Sequence, residues 1–160
     1  MKIEIVKGHG AGLTKMAAFD RALCDAGIAN YNLIYLSSVM PPDTEISIAN
    51  KRKPNIKEYG HKLYVVMAES YSDNIREEAW SGIGWLNHND GSGKGLFVEH
   101  SARSEKKLIE LIKTTLKSMS QYRPEERGDI HYETCGIECK KDDNFVCSLV
   151  AAVYKSEGWE

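Results

Sequence analysis

Apolar positions follow the two-residue period of half-buried strands in several segments of the chain. Lys2–Lys7 alternates apolar and polar residues and is rich in β-branched side chains, which favours a strand. Leu63–Met67 is a nearly continuous apolar run, typical of a strand buried on both faces. The composition of residues 87–95 predicts a turn that joins two strands as a hairpin. The predicted strands after the first are 29–37, 43–48, 60–70, 83–86, 96–98, 130–135 and 144–154.

Two other segments carry the three- and four-residue spacing of amphipathic helices. Thr14 is a good N-cap for a helix over Lys15–Ala26, and Gly27 suits its C-terminal cap. Ser104 can cap a longer helix from Glu105 to about Gln121. The predicted buried faces are Met16, Phe19, Leu23 and Ala26 in the first helix and Leu108, Ile109, Leu111, Ile112, Leu116 and Met119 in the second.

Two glycine-containing stretches allow more than one interpretation. Residues 8–12, GHGAG, predict a break between the first strand and the first helix. A phosphate-binding loop is one alternative, but the spacing fits neither the P-loop nor the full dinucleotide fingerprint. A close approach of the backbone to another element is favoured. Within residues 74–87, helix-spaced apolar residues combine with Gly82 and Gly84, which favours a helix that runs into a strand.

These elements predict the fold class. Two helices and about six to eight strands favour an α+β fold in which helices cover the outer faces of packed sheets. A chain of 160 residues has the length of a single domain, and no internal repeat is evident. We therefore expect one domain over residues 1–160.

Composition and charge narrow the classes of partner. The formal net charge is −2 and the pI is about 6.2, so the chain lacks the basic character expected of a protein that binds nucleic acid or an anionic membrane. No apolar run approaches the length of about 20 residues that spans a bilayer, and the start lacks the features of a secretory leader. The expectation is a soluble, cytoplasmic protein.

The cysteines raise the question of a metal site. In a cytosolic chain Cys24, Cys135, Cys139 and Cys147 are expected to stay reduced. His131, Cys135 and Cys139 recur every four residues and would share one face of a helix, with Cys147 as a fourth ligand. Zinc sites more often use paired Cys-x-x-Cys units, which are absent. The favoured alternative is a solvated turn over residues 138–144 between two pairing segments, and no metal.

One motif points to chemistry. Residues 32–42 read N-L-I-Y-L-S-S-V-M-P-P, an apolar strand that ends in a serine pair and is stopped by two prolines. Taken alone, the serine pair is typical of a turn. Together with A-F-D-R-A-L at 18–23 and D-A-G-I at 25–28, the motif resembles the pyruvoyl-dependent arginine decarboxylases. The resemblance returns at L-F-V-E over 96–99 and is loose elsewhere.

The resemblance implies that the chain makes its own cofactor. Proteins of this family are cut between two adjacent residues, here Ser37 and Ser38, giving a β chain of residues 1–37 and an α chain of residues 38–160. The Ser38 hydroxyl would attack the Ser37 carbonyl and turn the amide into an ester. Elimination and loss of ammonia would then leave a pyruvoyl group at position 38. This group forms a Schiff base with the substrate amine and serves as the electron sink that pyridoxal phosphate (PLP) supplies elsewhere, so no PLP is needed.

The resemblance also assigns roles to further residues. It implies that Glu99 donates a proton to the carbon left by carbon dioxide, that Asp20 receives the basic end of the substrate, and that Asn32 contacts substrate. A carboxylate suits a guanidinium because two charge-assisted hydrogen bonds can form. The bland alternatives are a solvated helix residue for Asp20, an edge-strand amide for Asn32 and a surface glutamate at a strand end for Glu99. The sequence departs from the family at Tyr35, where the family carries a basic residue, and at His100, which puts a second titratable group beside Glu99.

The expected function is therefore a self-processing decarboxylase that converts L-arginine to agmatine and carbon dioxide. The resemblance implies a four-layer αββα sandwich and a homotrimer, with a dimer of trimers as a further possibility and active sites between subunits. Two alternatives stay open. One is an unprocessed, non-enzymatic relative that binds a small molecule, and the other is the same chemistry on another amino acid such as histidine.

Overall fold

The computed structural model describes residues 1–124 and 128–160, and these residues form two α-helices and nine strands. The helices are α1 (Lys15–Ala26) and α2 (Glu105–Ser120), with a short 3-10 helix at Ile56–Glu58. The strands are β1 (Lys2–Gly12), β2 (Asn32–Tyr35), β3 (Val39–Met40), β4 (Glu45–Asn50), β5 (Lys62–Ser72), β6 (Glu78–Asn87), β7 (Gly95–Ala102), β8 (His131–Glu138) and β9 (Phe145–Glu157).

The strands form two sheets. Sheet A has the order β2-β5-β9-β1-β4 and is mixed, because β2 pairs with β5 and β1 with β4 in parallel, whereas its other pairs are antiparallel. Sheet B has the order β3-β7-β6-β8 and is antiparallel throughout. The two shortest strands, β2 and β3, each lie at an edge of their sheet.

Three apolar layers hold the elements together. Alternate residues of β5 and β9 face α1, and the residues between them face sheet B. The cluster between the sheets includes Ile83, Phe97 and Tyr154, and a further cluster joins sheet B to α2 through Leu108, Ile112 and Leu116. The order α1, sheet A, sheet B, α2 confirms the expected α+β fold with helices on the outer faces of packed sheets.

Helix α1 lies directly on the backbone of β1, and this corrects the prediction for residues 8–12. The predicted break is wrong, since β1 continues to Gly12 and pairs with β9 from Glu4 to Gly12. A Cβ at Gly8 would lie 2.3 Å from the carbonyl oxygen of Ala22, and one at Gly12 would lie 2.5 Å from the amide nitrogen of Ala18. The glycines thus remove side chains where a helix must touch a strand, as the favoured alternative required.

The ends of both helices are confirmed, but their buried faces are partly corrected. The Thr14 side chain accepts from the backbone of Ala17, and Gly27 adopts the left-handed conformation at the C-terminal cap. Met16 is 80% exposed because the side of α1 toward β1 is filled by small residues instead, Ala18, Ala22 and Ala26. Leu111 is 41% exposed, whereas Leu108, Ile112 and Leu116 are buried as predicted.

The structure also corrects one predicted helix and the length of one predicted strand. The helix expected within residues 74–87 is wrong, since a turn leads into β6 at Glu78. Gly84 instead makes room for Ile112 of α2, whose side chain would lie 2.2 Å from a Cβ there. The strand predicted over 29–37 spans only Asn32–Tyr35, because the chain leaves sheet A after Leu36. The hairpin turn over residues 87–95 is confirmed by the pairing of β6 with β7.

Candidate active site

Ser38 lies where the chain crosses from one sheet to the other. Strand β2 ends at Tyr35 on the edge of sheet A, and β3 begins at Val39 on the edge of sheet B. Ser38 has a φ of 64°, in the left-handed region that residues with a Cβ rarely occupy. Such a conformation costs on the order of 1–3 kcal/mol and persists only when the surroundings hold it in place.

Backbone hydrogen bonds hold the chain on both sides of the Ser37–Ser38 peptide. The Leu36 N–H donates to the Val65 carbonyl oxygen of sheet A at 2.9 Å. The Phe97 N–H of sheet B donates to the Ser38 carbonyl oxygen at 2.8 Å. Ser38 is half-buried and Ser37 is exposed. The serine pair predicted to lie at a strand end or strained turn is therefore held between the sheets in a strained conformation.

Glu99 faces the Ser38 side chain. The Ser38 hydroxyl donates to Glu99 Oε1 at 2.6 Å, a short bond of the kind made to an ionised acceptor. Strand β7 continues past Glu99 to Ala102, so the expectation that Glu99 ends the strand is wrong. Glu99 pairs with Ile83 and follows Phe97 by two positions, which points its carboxyl group into the space between the sheets.

Burial sets the protonation of Glu99. Loss of solvent raises the pKa of its carboxyl group above the ordinary value of 4.5, and the hydrogen bond from Ser38 partly offsets this shift. A carboxyl group with a raised pKa binds a proton more strongly. Glu99 is therefore suited both to accept the Ser38 proton and to hold a proton for later delivery.

His100 does not share this space. Its side chain points to the opposite face of β7, where Nε2 lies 2.8 Å from Thr115 Oγ1 of α2. Burial lowers the pKa of His100, which favours the neutral ring. The neighbour of Glu99 in sequence is thus separated from it by the plane of the sheet.

The other predicted site residues lie away from Ser38 in the same chain. Asp20 is exposed on α1, on the outer side of sheet A. Asn32 lies at the far end of β2, six residues before Ser38, which is about 20 Å of extended chain. Its side-chain amide donates to the Gly60 carbonyl oxygen at 2.8 Å. One chain therefore brings Ser38 and Glu99 together but leaves Asp20 and Asn32 apart from them.

Sequence reasoning missed two groups, one beside the serine pair and one on the outer face of sheet A. The Tyr154 hydroxyl of β9 donates to the Val39 carbonyl oxygen at 2.9 Å, immediately after the serine pair. Beyond Tyr35 along the outer face of sheet A lies Glu69, whose Oε2 is buried and has no hydrogen-bond partner in the described part of the chain. Burial raises the pKa of Glu69, and that of Tyr35 to about 12. Neither group had a sequence signal, since both are single residues within apolar strands.

The metal alternative loses its geometric basis. His131 and Cys135 lie on strand β8, so their four-residue spacing separates them along the strand and does not gather them on one helix face. All four cysteines are free thiols, and Cys139 and Cys147 are buried. Within residues 1–124 and 128–160 no three His, Cys, Asp or Glu side chains are grouped so as to hold a metal ion.

No helix within residues 1–124 and 128–160 is long and apolar enough to cross a membrane.

Comparison with known proteins agrees with the geometry around Ser38. The sequence model of pyruvoyl-dependent arginine decarboxylase matches residues 2–158. The chain belongs to the pyruvoyl-dependent arginine decarboxylase family. The family implies a covalent pyruvoyl group, and the strained Ser38 with its hydroxyl on Glu99 fits a residue that is converted into that group.

Curated relatives carry the name of this family. The chain is 40% identical to the pyruvoyl-dependent arginine decarboxylase of Halobacterium salinarum over 98 residues, which are 61% of this chain and 59% of the relative. It is 33% identical to that of Picrophilus torridus over 104 residues, 65% of this chain and 57% of the relative. The match to that of Methanopyrus kandleri is 29% identical and covers 96% of this chain and 95% of the relative. The first two matches thus span less than two thirds of the relatives' length.

Proposed function

We propose that this chain is a self-processing pyruvoyl-dependent decarboxylase that converts L-arginine to agmatine and carbon dioxide. The observation that carries the proposal is the hydrogen bond from the Ser38 hydroxyl to Glu99 at a backbone held in the left-handed conformation. Membership of the family and the printed names of the relatives support arginine as the substrate.

Self-cleavage follows from the chemistry of these side chains. Glu99 accepts the proton of the Ser38 hydroxyl as the oxygen bonds to the Ser37 carbonyl carbon, and the Ser37–Ser38 C–N bond breaks. The proton passes to the freed amine of Ser38, which leaves an ester between the two residues. Elimination then removes the Cα proton of residue 38 and breaks its Cβ–O bond, which releases Ser37 as a carboxylate, so the products are residues 1–37 and 38–160. Loss of ammonia from residue 38, with addition of water, completes the pyruvoyl group.

Glu99 then acts a second time. A pyruvoyl group withdraws electrons from a bound amino acid, as pyridoxal phosphate does in other decarboxylases. Burial raises the pKa of Glu99, so its carboxyl group binds a proton more readily than an exposed glutamate and can deliver it to the carbon that loses carbon dioxide. The Phe97 N–H, which donates to the carbonyl oxygen of residue 38, fixes that residue toward Glu99.

We further propose a homotrimer in which a neighbouring subunit completes each site. Asp20 is exposed on α1 and Asn32 lies at the far end of β2, so within one chain neither is in a position to contact a substrate bound at Ser38. An Asp20 from a neighbouring subunit would offer a carboxylate to the substrate guanidinium.

Four free thiols are in keeping with a reducing compartment such as the cytoplasm.

The test of this proposal is product formation. The purified chain, incubated with carboxyl-labelled L-arginine, is expected to release labelled carbon dioxide and to form agmatine in equal amounts. Ser38→Ala, which cannot form the pyruvoyl group, is the matched control and should release none. Preference for L-histidine would reassign the substrate. An intact chain that binds arginine without turnover would replace the decarboxylase by an unprocessed binding protein.

A further inference from the structure

Tyr154 reaches the chain just beyond the serine pair from the opposite sheet. It lies on β9 in the middle of the sandwich, 115 residues from Val39, and its hydroxyl donates to the Val39 carbonyl oxygen at 2.9 Å. Its ring packs edge-on against Phe97 at 6.1 Å between centroids. Phe97 in turn donates its N–H to the Ser38 carbonyl oxygen. Phe97 and Tyr154 therefore donate hydrogen bonds to two successive carbonyl groups of the crossover, those of Ser38 and Val39.

These hydrogen bonds hold a strained segment of the backbone. Ser38 has a φ of 64°, which persists only if its neighbours are fixed on both sides. Val65 fixes Leu36 on the N-terminal side, and Phe97 and Tyr154 fix Ser38 and Val39 on the C-terminal side. The Val65 and Phe97 bonds use main-chain groups, whereas the Tyr154 bond uses a side-chain hydroxyl. Of these three hydrogen bonds, the Tyr154 bond is therefore the one that a side-chain substitution can remove.

The hydroxyl is held in the donating form. Burial raises the pKa of Tyr154 well above its ordinary value, and the negative charge of Glu99 raises it further. Tyr154 is 8% exposed, so water does not compete freely for the Val39 carbonyl oxygen. The hydroxyl therefore stays protonated and able to donate near neutral pH.

We propose that Tyr154 is a positioning residue for self-cleavage. By fixing the Val39 carbonyl group it holds Ser38 in the left-handed conformation, with the hydroxyl hydrogen-bonded to Glu99. Tyr154 takes no proton and forms no bond in the reaction. It lowers the cost of reaching the geometry in which the Ser38 oxygen attacks. This inference rests on the proposed self-processing function.

The test compares Tyr154→Phe with the parent protein. Phenylalanine keeps the ring packed against Phe97 and removes only the hydroxyl. Freshly synthesised full-length chain is followed by denaturing electrophoresis as it converts to residues 1–37 and 38–160. Loss of one hydrogen bond that acts mainly on the reacting geometry should slow cleavage between about threefold and tenfold. Tyr64→Phe is the matched control, because it removes a tyrosine hydroxyl that donates at 3.3 Å to Glu157, the last residue of β9, and not to the crossover.

Hydroxylamine separates a role in ester formation from a role after ester formation. It cleaves an ester but not an amide. If Tyr154 assists the attack of Ser38, the ratio of the Tyr154→Phe cleavage rate to the parent cleavage rate should be the same with and without hydroxylamine. Full recovery of the parent rate would place the residue after ester formation and overturn the inference, and so would equal rates of Tyr154→Phe and parent. Turnover per cleaved chain should stay within about twofold of the parent, since residue 38 is then already converted. A parent chain that never cleaves would overturn the proposed function and this inference together.

Discussion

The Ser38 hydroxyl donates a 2.6 Å hydrogen bond to Glu99 Oε1, although 61 residues separate the two in the sequence. Ser38 belongs to the crossover between the sheets and Glu99 to the second strand of sheet B. The bond links Ser38, the residue proposed to become the pyruvoyl group, with Glu99, the carboxyl group proposed to accept its proton. A single carboxyl group can thus serve chain cleavage and, afterwards, decarboxylation.

Replacing Glu99 by glutamine should separate these two uses. Glu99→Gln keeps the shape of the side chain but cannot carry the proton, and general acid–base catalysis typically contributes about 10²–10⁴-fold. We expect the release of carbon dioxide per cleaved chain to fall by that order and cleavage itself to be slower. The measurement is labelled carbon dioxide release, normalised to the amount of cleaved chain.

Glu110→Gln provides the control for this comparison, because Glu110 is exposed on α2. It should match the parent in both measurements. Parent-like carbon dioxide release from Glu99→Gln would contradict the assignment of Glu99 as proton donor and direct attention to another acid.

A site shared between subunits predicts complementation between a variant with weakened substrate binding and a variant that cannot form the pyruvoyl group. Asp20→Asn should leave cleavage intact but weaken the use of arginine, since removal of one partner of a buried charge pair typically costs about 2–5 kcal/mol. Ser38→Ala cannot form the pyruvoyl group but retains Asp20. In mixed assemblies from co-expression, the Asp20 of one chain would complete the site of its neighbour and restore activity.

The readout is agmatine formation by the mixed assemblies, compared with the two variants purified separately and then combined at the moment of assay. Activity no greater than the sum of the separate variants would argue that Asp20 acts within its own chain or not at all. Full activity of Asp20→Asn alone would remove it from the substrate site.

Glu69 predicts a specific dependence of stability on pH. Burial raises its pKa in the folded protein above the ordinary 4.5, an effect that the charge of Lys15 and the Tyr71 hydroxyl partly oppose. Between the unfolded and folded pKa values the folded state binds more protons than the unfolded state, so the free energy of unfolding falls as pH rises. Glu69→Gln removes this fall. The variant should gain stability relative to the parent as pH rises from about 4.5 through the folded pKa.

Chemical denaturation at a series of pH values measures this difference directly. Glu110→Gln, the same substitution at an exposed position of α2, is the control. Parallel curves for Glu69→Gln and the parent would mean that Glu69 has the same proton affinity in the folded and unfolded states.

Local patterns predicted the elements whose signals are local. The ends of α1 follow from Thr14 and Gly27, whose capping roles depend only on neighbouring residues. The hairpin between β6 and β7 follows from a turn composition flanked by apolar runs. The glycines of β1 misled because their signal for a turn is also local, whereas their actual use is contact with a helix further along the chain.

The candidate site was predictable only in part for the same physical reason. The motif at residues 32–42 marked the serine pair, and the resemblance marked Glu99. The left-handed Ser38 and the bond from Tyr154 to Val39 depend on how two sheets meet, which no periodicity in one segment records. The separation of Asp20 and Asn32 from Ser38 likewise became visible only when the helix and strand were placed in space.

Self-processing between Ser37 and Ser38 is tested most directly by the mass of the chain followed over time after synthesis. Intact-protein mass spectrometry should show the full chain converting to residues 1–37, with an ordinary carboxyl terminus, and residues 38–160, which carry a pyruvoyl group and resist N-terminal sequencing. Ser38→Ala should remain whole under the same conditions. A parent chain that stays whole, or a fragment 38–160 that begins with an ordinary serine amine, would contradict self-processing at this bond.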